Sequence, residues 1–283
     1  MPKTKLSIVR YLNSAPLAWG IQEGPQAERF DSVLSTPAEC ADQLAAGSVD
    51  IGLIPSIEFH QIKGCRIVPG PAIACRHRVR SVLLLSQLPL WKIGTVAYDR
   101  GSRSSVALAR IVLKEFCGIQ PDFRPSEPDL ANMLAQSDAA LIIGDVALKF
   151  MADNTPPDAE KQKAKGLLRL GSEPLEVFDL VERWKMLTGL PFLFAFWAAR
   201  EGFRDSSVVD QLKASRDYGV AHTAEIAARY AGTLDIPEKY VRDYLEQYVY
   251  YYMDESCIEG LQVFYEKAAR IGAIKSPRAL EFL

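Results

Sequence analysis

The 283-residue sequence predicts an α/β protein built as two lobes with a ligand cleft between them. Three observations predict it. Apolar strand-like runs alternate with helical stretches over the first 55 residues, the same alternation restarts near Trp91 after a β-rich connection, and nearly everything beyond residue 200 reads as helix. A chain that builds one α/β lobe, switches to a second and ends in helices suits a fold whose last helices return to the first lobe. Lobe 1 is expected over residues 1–87 plus 197–283, and lobe 2 over 88–196. Ligand is expected near the carboxyl ends of the parallel strands.

Leu6 to Val9 is apolar and reads as a buried strand, and Pro16 opens a helix at a position where a missing N–H costs nothing. "FDSVLST" alternates as a strand. "PAECADQLAAG" follows as a helix, with Thr36 as N-cap, Pro37 at the first position, Glu39 in the first turn and Gly47 at the end. "VDIGLIPS" is a third strand ending at Pro55. The segment "CRIVPGPAIACRHRVRSVLLLSQ" is β-rich, and "WKIGTVAYD" begins the second α/β unit. "SRSSVALARIVLKEFCG" is a helix closed by Gly118, "DLANMLAQ" a short helix, and "AALIIGDVAL" an apolar strand running into Gly144-Asp145. The polar stretch from Ala152 to Lys165, with Pro156-Pro157, reads as an exposed loop. After "GLPFLFAFWAAR" come four helices, the third being "PEKYVRDYLEQYVYYYM", whose tyrosines are expected to pack a helix against the lobe.

Composition narrows the function classes. A hydrophobic fraction of 48% supplies a core, and 33 basic against 35 acidic residues, without a basic block, argue against nucleic acid or an anionic membrane as partner. No run approaches the about 20 apolar residues of a membrane span. Five cysteines without C-x-x-C spacing suggest neither disulfides nor zinc. The apolar N-terminal stretch is broken by Arg10 and Asn13, so a soluble cytoplasmic protein is expected. Phosphate-binding, metalloprotease and serine-hydrolase signatures are missing, and His60, His77 and His222 stand at unrelated spacings.

What remains is polar residues just after strands, all mapping to one rim. Tyr11, Asn13 and Ser14 follow the first strand, Ser56 and Glu58 the third, and Gly144 and Asp145 the apolar one. Ser81 lies near the lobe crossover, and Ser102, Arg103, Ser104 and Ser105 precede a helix. Each has a structural explanation too, since Asn13, Ser14, Ser102 and Asp145 are all plausible helix caps. The serine-arginine stretch is the most pointed. Free N–H groups and about half a positive charge at a helix start, with hydroxyls and an arginine, make a receptor for an anionic small ligand.

The blocks "VRYLNSAPL", "CADQLAAGSVDIGLIPSIE", "RSVLLLS", "SRSSVALARIVL", "ALIIGDVAL" and "FDLVERWKMLTGLPFLFAFW" run in series from residue 8 to about 197. Together they resemble the chorismate dehydratases of the futalosine route to menaquinone. The resemblance implies a fold like the type 2 periplasmic binding proteins, working as a cytoplasmic hydro-lyase without metal or organic cofactor. It implies that chorismate, a dicarboxylate, loses water to give 3-[(1-carboxyvinyl)oxy]benzoate. The Asn matching Asn13 is implied to be important, hydrogen bonding to the reacting ring substituents. Arg103, Ser104 and Ser105 are expected to hold one carboxylate, with Ser105 standing where many relatives have Thr. Glu58, Asp145 and the substrate's own enolpyruvyl carboxylate are rival bases. A monomer or homodimer fits equally. Two alternatives stand beside this reading: a non-catalytic small-acid binding protein of the same fold, and the sister enzyme acting on cyclic dehypoxanthine futalosine, whose N-terminal motif is closer to Pro-Cys-Pro-Asn-Asp.

Overall fold

The computed structural model describes residues 3–154, 168–170 and 173–283. Its first sheet starts with β1 (Thr4–Val9), β2 (Phe30–Ser35) and β3 (Ile51–Pro55), paired parallel with β1 in the middle. Between them lie α1 (Ala15–Gln22) and α2 (Pro37–Ala45), giving the expected β-α-β-α-β unit. Helix α2 begins with the predicted capping box: Thr36 Oγ1 accepts from the Glu39 amide at 3.3 Å, and the Thr36 amide donates back to the Glu39 carboxylate at 2.7 Å. β4 (Arg66–Cys75) completes the first pass through this lobe.

The chain then changes sheet. β5 (Val82–Ser86), β6 (Thr95–Asp99), β7 (Asp122–Ser126), β8 (Ala139–Ile143), β9 (Leu168–Leu170) and β10 (Glu173–Asp179) form the second sheet in the order β7-β6-β8-β5-β10-β9. Helices α3 (Ser104–Cys117), α4 (Leu130–Gln136), α5 (Gly144–Asn154) and α6 (Leu180–Thr188) accompany it. β11 (Phe192–Ala199) returns between β3 and β4, and β12 (Tyr250–Tyr252) closes the first sheet in the order β12-β4-β11-β3-β1-β2. The remaining helices are α7 (Ser207–Ala221), α8 (Thr223–Leu234), α9 (Glu238–Asp243) and α10 (Glu255–Arg270). Helix α7 packs on α1: Ser215 donates to Leu17 O at 2.8 Å, and Gly219 lies against the backbone of Pro16.

The chain changes sheet at residues 76–81 and 189–191, with Val82–Ser86 buried between β8 and β10 and β11 in the centre of the first sheet. Two expectations are corrected. The aromatic run is not helical throughout. Helix α9 gives way to a π-helical turn, Tyr244–Tyr248, and Tyr250–Tyr252 becomes a strand antiparallel to β4, because consecutive tyrosines suit a pleated edge and β4 offers unpaired backbone there. Ala152–Asn154 continues α5 where a loop was expected, and residues 155–165 of that expected loop lie outside the described residues.

The crossovers are braced. Asp179, at the end of β10, accepts from the Val79 and Arg80 amides at 2.8 and 2.7 Å with one oxygen and from the Val181 and Glu182 amides with the other. The same carboxylate therefore caps α6 and holds the first crossover, where Arg80 has a φ of +60°. Among the described residues no helix is long and apolar enough to cross a membrane.

Candidate functional site

Segments from the two lobes meet around one cavity of about 540 Å³ that is partly open to solvent. The first is the turn after β1. Val9 ends the buried strand, Leu12–Ser14 forms a single 3-10 turn, and Pro16 at the second position of α1 needs no hydrogen-bond acceptor. The hydroxyl of Ser14 donates to Tyr11 O at 2.7 Å and also to Val9 O, so Ser14 holds the turn rather than facing the cavity. Asn13 does line the cavity, and its Oδ1 is buried with no hydrogen-bond partner.

The second segment is the start of α3. Asp99, at the end of β6, accepts from the Gly101 amide at 2.8 Å with its carboxylate and from the Ser102 amide at 2.8 Å with its carbonyl. This turn brings Ser102, Arg103, Ser104 and Ser105 to the cavity wall. The first amides of a helix have no acceptor within it, so the 14-residue α3 presents donors and a positive dipole end at the wall. Ser102 is buried, and its Oγ also has no partner. Among the described residues, Asn13 Oδ1 and Ser102 Oγ are the buried, unpartnered side-chain polar atoms of this cavity. A buried polar atom left without a partner costs about 1–3 kcal/mol, which sets these two atoms apart from the rest of the wall.

Ser81 and Gly144 come from the crossover and from the start of α5 and line the same cavity. The Ser81 hydroxyl bonds Tyr244 OH at 2.7 Å, and Ser81 O accepts from the Gly144 amide at 2.8 Å. Gly144 has a φ of +61°, and a Cβ there would lie 2.8 Å from the Tyr11 ring, so the glycine is what lets Tyr11 reach its place. Burial pushes the Tyr11 phenol well above the usual tyrosine range, with Asp99 and Asp145 adding to it. The rest of the wall is apolar, including Val9, Pro55, Ile73, Val82, Ile143 and Phe194.

Ser56, Glu58 and Asp145 do not reach this wall. Ser56 braces the lobes: its hydroxyl meets Ser104 Oγ at 3.2 Å, while Ser104 Oγ accepts from the Ile57 amide at 3.1 Å and donates to Phe194 O at 3.3 Å. Glu58 lies beside Arg103, its Oε1 4.0 Å from Arg103 Nε, and burial raises its pKa against that guanidinium's pull. Asp145 sits behind the turn. Its Oδ1 accepts from the Leu12 amide at 2.9 Å, and burial pushes its pKa up to about 6, with that amide opposing. The apolar lining residues carry no sequence signal that separates them from core. Asp99 does carry one, an acidic residue at the end of a strand two positions before a glycine.

The cavity wall thus combines the first amides of α3, the Arg103 guanidinium and the polar groups of Asn13 and Ser102 with a largely apolar lining. Among the described lining residues the single charged group is Arg103, and none is His, Lys, Asp or Glu.

Comparison with known proteins gives this arrangement a lineage. A chorismate dehydratase of Thermus thermophilus is 33% identical over 264 residues, which covers 92% of this chain and 93% of the relative. The crystal structure of an Archaeoglobus fulgidus protein aligns with a TM-score of 0.70 at 15% identity, covering 96% of this chain and 98% of that one. A Candida albicans protein described as having the generic periplasmic binding protein fold aligns with a TM-score of 0.65 at 13% identity, over 98% and 92% of the two chains. These likenesses show the fold, the expected two-lobe architecture with a cleft between the lobes. The model of a family described as menaquinone biosynthesis matches residues 4–270. Matched over nearly its whole length, the chain belongs to the menaquinone biosynthesis family.

Proposed function

We propose that this protein is a chorismate dehydratase, a hydro-lyase that converts chorismate to 3-[(1-carboxyvinyl)oxy]benzoate and water in menaquinone biosynthesis by the futalosine route. We place it in the cytoplasm. The observation that carries the reading is the pairing of an anion-receiving helix start with the unpartnered Asn13 Oδ1 across one largely apolar cavity, in a chain of this family.

In this reading one carboxylate of the dianion rests on the first amides of α3 and on Arg103, and the ring lies against the apolar wall. Asn13 hydrogen bonds the ring hydroxyl that leaves. Among the described residues the cavity wall offers no carboxylate or imidazole, so in this reading the enolpyruvyl carboxylate of the substrate takes the ring proton. The C–O bond to the hydroxyl breaks as the ring double bond forms, and the proton passes to the departing hydroxide as water. A dianion enters and a dianion leaves, so the charge balances. Aromatisation supplies the driving force, and the protein contributes orientation and exclusion of water. Tyr11, Ser81, Ser102, Ser105 and Gly144 shape the binding wall, whereas Ser14, Ser56, Glu58 and Asp145 act from behind it.

Incubation of the purified protein with chorismate, followed by ultraviolet absorbance and mass, tests the assignment. An aromatic product 18 mass units lighter than chorismate, about one water, is the expected result. Chorismate that binds and is recovered unchanged defeats the enzyme reading in favour of a binding protein.

A further inference from the structure

A second, more open hollow of about 920 Å³ lies on the far side of the Gly101–Arg103 turn. Ser102 and Arg103 line both spaces, so this turn is the partition between them. Among the described residues the outer hollow is lined by three guanidinium groups, Arg100, Arg103 and Arg110, against one carboxylate, Glu58. Each guanidinium is loosely held. Arg100 Nε is 3.8 Å from Glu127, Arg103 is 4.0 Å from both Glu58 and Asp42, and Arg110 lies over the Phe123 ring at 4.8 Å. The Arg100–Glu127 and Arg103–Asp42 pairs are long and exposed and contribute little, so these partners exchange readily for an incoming anion. The buried, unpartnered Ser102 hydroxyl on the shared wall is a second and independent sign of a ligand passing this point.

We propose that the outer hollow is an approach subsite for a carboxylate-bearing ligand, which Arg100 and Arg110 capture and Arg103 hands past Ser102 into the largely apolar cavity. The proposal rests on the dicarboxylate reading of that cavity. Basic side chains around a concave opening concentrate an anion there and raise its association rate, an effect that salt screens within a Debye length of about 10 Å at 0.1 M. Arg103 alternates between Glu58 and Asp42 on the outside and the ligand carboxylate on the inside. Glu58 on this account tethers Arg103 and keeps it at the partition.

The test is the association rate of chorismate, read by stopped-flow intrinsic fluorescence for the wild type, Arg110→Gln, Arg110→Lys and the double variant Arg100→Gln/Arg110→Gln. Both side chains are exposed, and thermal melts confirm that the variants fold. At about 0.01 M salt the double variant is expected to associate roughly tenfold more slowly than the wild type, and at about 0.5 M salt the difference closes to less than about twofold. Arg110→Lys keeps the charge and is expected to keep most of the rate. Equal rates at low salt overturn the proposal. So does a loss that is the same at both salt concentrations, because that marks a contact within the bound complex. A wild type that binds chorismate without turnover defeats the dehydratase reading while the association rates still decide the hollow, and absence of chorismate binding defeats both.

Discussion

Asn13 is placed by its neighbours and satisfied by none of them. Ser14 ties the turn back to Val9 and Tyr11, Asp145 holds the Leu12 amide, and Asn13 Oδ1 is left buried without a partner at the cavity wall. A residue that makes no internal side-chain bond can be removed at little structural cost, so function and stability separate here. Asn13→Ala is expected to lower kcat for chorismate by about 10²–10³-fold, the range for losing one positioned polar group at a reacting centre. Its melting temperature is expected to stay within about 2 °C of the wild type, since no hydrogen bond is lost. Steady-state kinetics beside a thermal melt checks both halves, and wild-type turnover in the variant removes Asn13 from the reaction. Asn13 was readable in sequence as a polar interruption of an apolar run. The inward-facing roles of Ser14 and Ser56 were not, because a serine after a strand looks the same whether it meets a ligand or a carbonyl.

At the scale of elements, the alternating strands and helices around β1, β2, β3 and α3 follow from apolar periodicity and from local caps such as the Thr36-Glu39 box. The short strands β7, β9 and β10 and the strand β12 were not legible. Asp122–Ser126 contains a proline and mostly polar residues, and it is a strand because it is the outermost neighbour of β6. Tyr250–Tyr252 is a strand because β4 supplies the partner. The start of α5 shows the opposite case, where one residue type dictates the join. Gly144 adopts a φ of +61° directly under the Tyr11 ring. Gly144→Ala is expected to destabilise by about 2–4 kcal/mol, from the left-handed backbone and from overlap with Tyr11. It is also expected to lower kcat/KM for chorismate by displacing Tyr11 from the cavity wall. Chemical denaturation and kinetics together test the contact, and a variant with unchanged midpoint and activity would show that Tyr11 does not depend on it.

Across the whole molecule, the two-lobe plan was legible because the alternation pattern starts twice. A fully buried strand reads alike in either sheet, and only pairing assigned Val82–Ser86 to the second and Phe192–Ala199 to the first. The lobes are joined by few polar links, among them Lys149 to Asp235 at 3.0 Å, Ser104 to Ile57, and Asp145 to Leu12. Asp145 is the titratable one near neutrality. Its pKa rises from an ordinary value of about 4 to about 6 through burial, with a single amide as compensation and with Tyr11, Tyr230 and Tyr244 as the titratable groups that feel it. The folded protein thus binds this proton more tightly than the unfolded chain does. The stabilising effect of that proton is complete below about pH 4 and is lost as pH rises through about 6, which leaves the ionised carboxylate opposing lobe contact under neutral conditions. Asp145→Asn removes the charge and keeps an oxygen to accept from Leu12. It is therefore expected to raise stability by about 1–2 kcal/mol at about pH 8, or roughly 2–5 °C in Tm, and to bring no gain at about pH 4. Thermal melts of both proteins across that range decide the matter, and a variant less stable than the wild type at every pH would mean that the carboxylate is needed as a charge to hold the lobes together.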